Sequence, residues 1–242
     1  MHMADKTIKN PLRKRILRDI RKEKGKYISI FLFLTFMISI VSGMLVTSLS
    51  MMHTYDDGIE TYKLEDGHFS TNSEISVADL QKIADQTDSG TAKATIYKQY
   101  FYNFDYTFEG NSNYSIRLYE NREALNTYSV FEGHAPEKDG ELAIDRLFAE
   151  NNNLKIGDTL TFDGKDLTIC GTVAVPDYSC LFENNSDSMF SATTFTTGFV
   201  TADYFKEFSE SKLTYSFAYR FSDRNLDDRA SYDASTDLMN TL

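Results

Sequence analysis

The stretch "YISIFLFLTFMISIVSGMLVTSLSMM", residues 27–52, decides how the rest of the chain is read. It holds 26 residues and no Asp, Glu, Lys or Arg. An α-helix needs roughly 20 residues to cross the hydrocarbon layer of a bilayer. A buried core helix is a poor account, because core helices are rarely uncharged on every face for seven turns. A cleaved signal peptide is a poor account too. Its apolar region is normally about 7–15 residues long and closes on a small-x-small site. Here the run is longer, 26 residues precede it, and "VTSLSMMHTY" offers no Ala-x-Ala. The expectation is an uncleaved transmembrane helix over residues 27–52.

The flanks give the direction. Residues 1–26 carry ten Lys/Arg against three acids, Asp5, Asp19 and Glu23. The whole chain has 25 Lys/Arg and 36 Asp/Glu, a net charge of −11, so 15 basic and 33 acidic residues lie beyond residue 26. The head is therefore +7 and the remainder −18. Lys/Arg excess stays in the cytoplasm. That places residues 1–26 inside and residues 53–242 outside the cell membrane. An acidic remainder argues against nucleic acid, since phosphate neutralisation needs clustered Lys/Arg. Beside an apolar run, the basic head fits a lipid surface instead.

Asn10-Pro11 reads as a helix start. Leu12, Ile16, Leu17 and Ile20 then share a face, with Arg13, Lys14, Arg18, Arg21 and Lys22 around the rest. This is the pattern of an amphipathic helix on the inner leaflet, those cations touching anionic lipid; a simple topogenic charge cluster is the plainer account. Within the membrane run, Thr35, Ser39, Gly43 and Thr47 recur every four residues. A small, polar stripe lets another helix approach closely, and a lone tether has no use for one. Packing against other permease helices or a second copy is the expectation for these four.

Beyond the membrane the text is mixed. Residues 54–72 are acidic and read as a stalk leading into a first strand. "SVADLQKIADQT" from Ser76 reads as a capped short helix with Asp79 three residues on. Residues 91–110 and 111–120 alternate and are rich in Tyr and Phe, a hairpin pattern. "GELAIDRLFAENNN", residues 140–153, reads as a helix starting at Gly140-Glu141. Residues 154–162 and 165–175 flank Asp163-Gly164, a strong hairpin signal. Residues 196–210 read as a strand entering a helix, and 213–221 as a strand. The fold class expected is α+β: one N-terminal transmembrane helix followed by a mixed α+β extracytoplasmic domain.

No chemistry-bearing motif stands out. There is no phosphate-binding Gly-rich loop with Lys, no nucleophile elbow and no Ca²⁺-loop spacing in the acidic cluster around Asp56, Asp57 and Glu60. His2, His53, His68 and His134 show no metal-ligand spacing and read as surface or turn residues. Neither catalytic nor cofactor-binding nor metal residues are expected in this chain, and no enzyme. Cys170 and Cys180 read as an unpaired strand thiol and loop thiol, with a single bridge as the alternative. The aromatic run "YKQYFYNFDYTF", residues 97–108, reads as a strand with one face in the core; an exposed binding patch is the competing account.

Four phrases carry a family resemblance: "ILRDIRKEKGKYISIFLFLTFMISI" (16–40), "RLYENREALN" (117–126), "FEGHAPEKDGELAIDRLFAENNNLKIGDTL" (131–160) and "GTVAVPDYSCLFENNSDSMF" (171–190). In order and spacing they resemble the FtsX-like family of bacterial ABC-transporter permeases with its MacB-like periplasmic core domain. The resemblance implies a permease subunit, with ATP held by a separate cytoplasmic ATPase subunit, acting on peptides, lipids or lipoproteins. It also implies further membrane helices after the extracytoplasmic domain, which this sequence does not contain. A single-pass anchored binding or sensor domain is the alternative that the residues alone allow.

Overall fold

A computed structural model of the chain describes residues 21–86, 92–108, 111–178, 182–183, 188–189 and 191–242. They divide into two units, Met1–Asp57 and Gly58–Leu242. The described part of the first is helical, and the second is a mixed sheet with short helices. The class is α+β, with one long apolar N-terminal helix.

That helix, α1, runs Lys24–Thr61. Its 38 residues extend about 57 Å at 1.5 Å per residue, well beyond the roughly 30 Å of a hydrocarbon layer. None of its residues is buried, and its most apolar window has a mean hydropathy of 2.3. The acidic stretch after residue 53, expected as a stalk, continues the helix to Thr61. Local bonds explain this. His53 Nδ1 lies 2.9 Å from Asp57 Oδ2 one turn on, and Thr54 Oγ1 donates to the Ser50 carbonyl at 2.9 Å. The stop is a left-handed Lys63 (φ 51°). There Leu64 N donates to the Ile59 carbonyl and Lys63 N to that of Glu60, so the last carbonyls are satisfied.

Ten strands among the described residues form the sheet of the second unit: β1 Gly67–Thr71, β2 Ala94–Lys98, β3 Phe101–Phe108, β4 Asn111–Glu120, β5 Ser129–Gly133, β6 Glu141–Asp145, β7 Thr159–Phe162, β8 Lys165–Ala174, β9 Phe195–Val200 and β10 Leu213–Phe221. The order is β1-β10-β3-β4-β9-β6-β8-β5, with β2 also on β10 and β7 on β8. The pairs β4–β9 and β6–β8 are parallel and the rest antiparallel. The stretch read as one strand over 91–110 is two, β2 and β3. Both keep one register along β10 (Lys98 opposite Phe217, Tyr102 opposite Leu213), and Gln99 N bridges the gap to the Ser216 carbonyl at 2.9 Å.

Three readings hold closely. The short helix α2, Val77–Ala84, is capped by Ser76, whose hydroxyl accepts from Ala78 N. Asp79 turns to Lys82 instead of closing the box. The 163–164 hairpin forms with both turn residues left-handed (φ 51° and 72°). The strand-to-helix passage becomes β9 followed by α4, Ala202–Phe205.

The helix expected over 140–153 is a correction. Residues Glu141–Asp145 are strand β6, and only Arg146–Asn151 is helical (α3). Leu142 and Ile144 enter the main core while Ala143 enters a second cluster on the opposite face. A strand buried on both faces reads as an unbroken apolar run, which period alone does not separate from a helix. Asp145 is the hinge between the two. Its carboxylate accepts from Leu147 N at 2.8 Å and Phe148 N at 3.2 Å. Burial pushes this carboxyl up, and the two N–H bonds pull it back. Asp145→Ala is expected to lose about 1 kcal/mol in urea unfolding, with Asp145→Asn recovering most of it.

The last helix, α5 (Asp228–Thr241), begins at an Asp227 cap and buries Ala234 and Leu238. The sequence reading assigned no element there.

Candidate functional site

Alternation along β3 and β4 separates two faces. Tyr102, Phe104, Tyr106, Ile116 and Leu118 enter the main core. The aromatic run is therefore chiefly core, as its plainer reading held. Phe101, Arg117 and Tyr119 point the other way, into a cleft of about 400 Å³ within the second unit. His68 and Ser70 of β1 and Ser216 of β10 line it as well, with Glu65, Arg122, Asp177 and Tyr178 from the connections.

Arg117 is held on all sides. Its guanidinium lies 4.6 Å from the Phe101 ring centre and 5.4 Å from that of Phe195. It donates through Nε to Asn103 at 3.1 Å and through its two terminal nitrogens to Tyr178 Oη (2.9 Å) and the Glu183 carbonyl (2.6 Å). These bonds use three of the five N–H donors of a guanidinium. Tyr178 and Tyr119 share a 2.8 Å hydroxyl bond.

Behind them sits a buried ion pair. Arg122 donates to Asp177 Oδ2 at 2.6 Å, with side chains only 5% and 10% exposed. The Arg122 guanidinium stacks 4.0 Å above Tyr119. Burial opposes the Arg122 charge, but Asp177 and the two tyrosines hold its pKa above the ordinary value. Burial pushes the Asp177 carboxyl up, and Arg122 offsets part of that. Burial raises the Tyr119 phenol strongly. Arg122 Nε and Asp177 Oδ1 are buried with no hydrogen-bond partner among the described residues.

A second pair sits at the mouth. His68 Nδ1 lies 2.6 Å from Glu65 Oε1, and Asn126, itself buried and left-handed (φ 50°), donates its amide to Glu65 Oε2. The Glu65 hydrogen bond raises the His68 pKa, against burial. For Glu65, burial works upward, but His68, Asn126 and Arg122 together hold the carboxyl below its ordinary value. The consequence for stability has two signs. His68 contributes fully below 6.5 and loses that contribution as pH rises through its raised folded value. Glu65 contributes fully above 4.5 and loses it as pH falls through its depressed folded value. The stability gap between the native chain and His68→Gln is therefore expected to be widest between pH 4.5 and 6.5 and to close in alkali. Urea midpoints taken across that range check this.

The residues singled out in the sequence lie elsewhere. Thr35, Ser39, Gly43 and Thr47 lie on α1 in the first unit, all exposed, with nothing within 4 Å of where a Gly43 side chain would begin. Arg21 and Lys22 are exposed; Arg13, Lys14 and Arg18 lie outside the described residues. Cys170 is a free, buried thiol, and burial lifts it to about 11. Cys180 lies outside the described residues. The cleft went unnoticed as a grouping because its residues are far apart in the chain. Two of the phrases that carry the resemblance hold cleft residues, 117–126 with Arg117, Tyr119 and Arg122, and 171–190 with Asp177 and Tyr178.

No family model matches the chain, and no curated protein matches it. Several solved structures are similar, two of them as follows. The periplasmic region of MacB from Actinobacillus actinomycetemcomitans aligns over 72% of this chain and 81% of that one, at 9% identity and a TM-score of 0.39. The extracellular domain of the noncanonic ABC-type transporter YknZ from Gram-positive bacteria aligns over 72% of this chain and 94% of that one, at 9% identity and a TM-score of 0.38. One carries the domain name, and the other the transporter class, that the sequence phrases resemble. At these TM-scores the likeness carries no functional argument.

Proposed function

We propose that this chain belongs to the permease subunit of an ABC-type transporter or mechanotransmission complex in the cell membrane. Residues 1–26 lie on the cytoplasmic side, residues 27–52 cross the bilayer, and residues 53–242 are extracytoplasmic. The observation that carries the membrane placement is a wholly exposed, uncharged 26-residue run inside a long helix, with a +7 flank before it and a compact acidic domain after it. A helix exposed in this way in water would leave large apolar side chains such as Phe31, Phe33 and Phe36 unburied; lipid removes that cost.

In this reading Arg13, Lys14, Arg18, Arg21 and Lys22 contact anionic lipid. The Thr35–Ser39–Gly43–Thr47 stripe packs against other permease helices or a second copy. ATP is bound and hydrolysed by a separate ATPase subunit. The extracytoplasmic domain meets a peptide, lipid or lipoprotein, and the Arg117 cleft is its polar point of contact.

The test is purification of the chain from its own membranes in mild detergent. Copurification of an ATPase is expected. The triple variant Thr35→Leu, Ser39→Leu, Gly43→Leu is expected to lose it while still reaching the membrane. A native chain that purifies alone overturns the permease reading. A triple variant that assembles normally overturns the role of the stripe. The cleft's ready-made polar groups suit a single-pass binding or sensor domain as well, and isolation without an ATPase would favour that reading.

A further inference from the structure

We propose that His134, Glu141 and Cys170 form a binding site for Zn²⁺ or a similar borderline divalent cation, where the end of β5 meets β8 and the start of β6. One ligand-type atom from each residue, a ring nitrogen, a carboxylate oxygen and Sγ, lies within 4.8 Å of the other two. The three are brought together from positions 134, 141 and 170 by strand pairing.

The backbone holds the arrangement in place. His134 N donates to the Cys170 carbonyl at 3.1 Å, and Cys170 Sγ lies 3.3 Å from the His134 carbonyl. Gly133 and Gly171 face each other in the register of β5 and β8 just beside it. Glu141 Oε2 accepts from Glu137 N at 2.8 Å and Lys138 N at 3.1 Å, which fixes the carboxylate and leaves Oε1 outside those bonds. His134 Nδ1 lies 2.8 Å from the Ala135 carbonyl. Nδ1 also lies 4.0 Å from Glu141 Oε2, and the exposed ring turns away from the Ala135 carbonyl to offer a nitrogen lone pair to the ion.

The donor set selects the metal class. Ca²⁺ and Mg²⁺ want oxygen ligands in numbers this site does not offer. One thiolate, one imidazole and one carboxylate suit Zn²⁺, at about 2.3 Å to sulfur and about 2.0–2.2 Å to nitrogen and oxygen. Those bonds set ligand atoms about 3.3–3.6 Å apart in a tetrahedron, so the three must draw together by up to about 1.5 Å. The exposed His134 ring supplies that movement. On binding, Zn²⁺ displaces the thiol proton of Cys170 to solvent, and a fourth, open position remains for water. The ion would clamp an edge strand, β5, to the two strands inside it. This site is separate from the Arg117 cleft and does not rest on the transporter reading.

The experiment uses the reduced, detergent-purified full chain titrated with Co²⁺, a spectroscopic stand-in for zinc. A thiolate-to-cobalt charge-transfer band is expected, saturating at one equivalent and abolished by added Zn²⁺. Cys180→Ser should keep the band and Cys170→Ser should lose it. His134→Ala changes an exposed side chain, keeps the fold, and should weaken Co²⁺ at least about tenfold. No band in the native chain, or a band that survives Cys170→Ser, overturns the site. Unchanged affinity in His134→Ala overturns the ligand set.

Discussion

Asp177→Ala is expected to destabilise the second unit by about 3–5 kcal/mol, because it strands a buried guanidinium. Arg122 is 5% exposed, has an Nε with no hydrogen-bond partner among the described residues, and lies against the rings of Tyr119 and Phe199. Removing its carboxylate leaves a nearly buried charge without its hydrogen-bonded counter-ion, with Glu65 as the remaining acid that feels it. Two further results are expected. Arg122→Met with Asp177→Leu together should cost much less than Asp177→Ala alone, since an apolar pair of similar volume removes the stranded charge. Arg122 also donates to the Asn126 carbonyl at 3.4 Å, and Asn126 bonds Glu65. Asp177→Ala should therefore flatten the pH dependence described for the His68–Glu65 pair. Urea midpoints at constant slope measure both. A single variant as stable as the native chain would show that the pair is solvated.

Gly171→Ala is the second large effect, at about 3 kcal/mol. A Cβ at this position would lie 2.4 Å from the His134 carbonyl oxygen and 2.9 Å from that of Glu132. Both atoms are backbone in the paired strand, so neither rotates away, and relief requires the end of β5 to leave β8. Native-state hydrogen exchange should show the amides of residues 132–134 opening first, including His134 N, whose acceptor is the Cys170 carbonyl. Because the same movement parts His134 from Cys170, the variant should also lose its cobalt band. Gly157→Ala offers a contrast. Its backbone is left-handed (φ 96°) but no atom lies within 4 Å of a new Cβ, so only conformational strain, about 1–3 kcal/mol, applies.

Local chemistry was legible wherever neighbours in sequence are neighbours in space. Ser76 announces α2, Asp163-Gly164 announces the β7–β8 hairpin, and alternation announces β10. The C-terminal helix was missed because its buried contact is thin: Ala234 and Leu238 are the only residues of α5 that are buried. The stretch 141–145 was misread because a strand covered on both faces loses its alternation. Whether "ELAID" sits between β8 and β9 is decided by those strands, not by its own residues.

What the sequence by itself determined is the division of this chain. A run of 26 residues without charge, beside a cluster of cations, states its preference for lipid residue by residue. The α+β character of the rest follows from period and turn chemistry, which are also local. Only the tertiary structure brought Arg117, Arg122, His68 and Asp177 around one cleft, or His134, Glu141 and Cys170 around one point. Those groupings depend on strand order and register, and these are set by which apolar faces bury together across tens of residues. A sequence read in windows carries no record of that pairing.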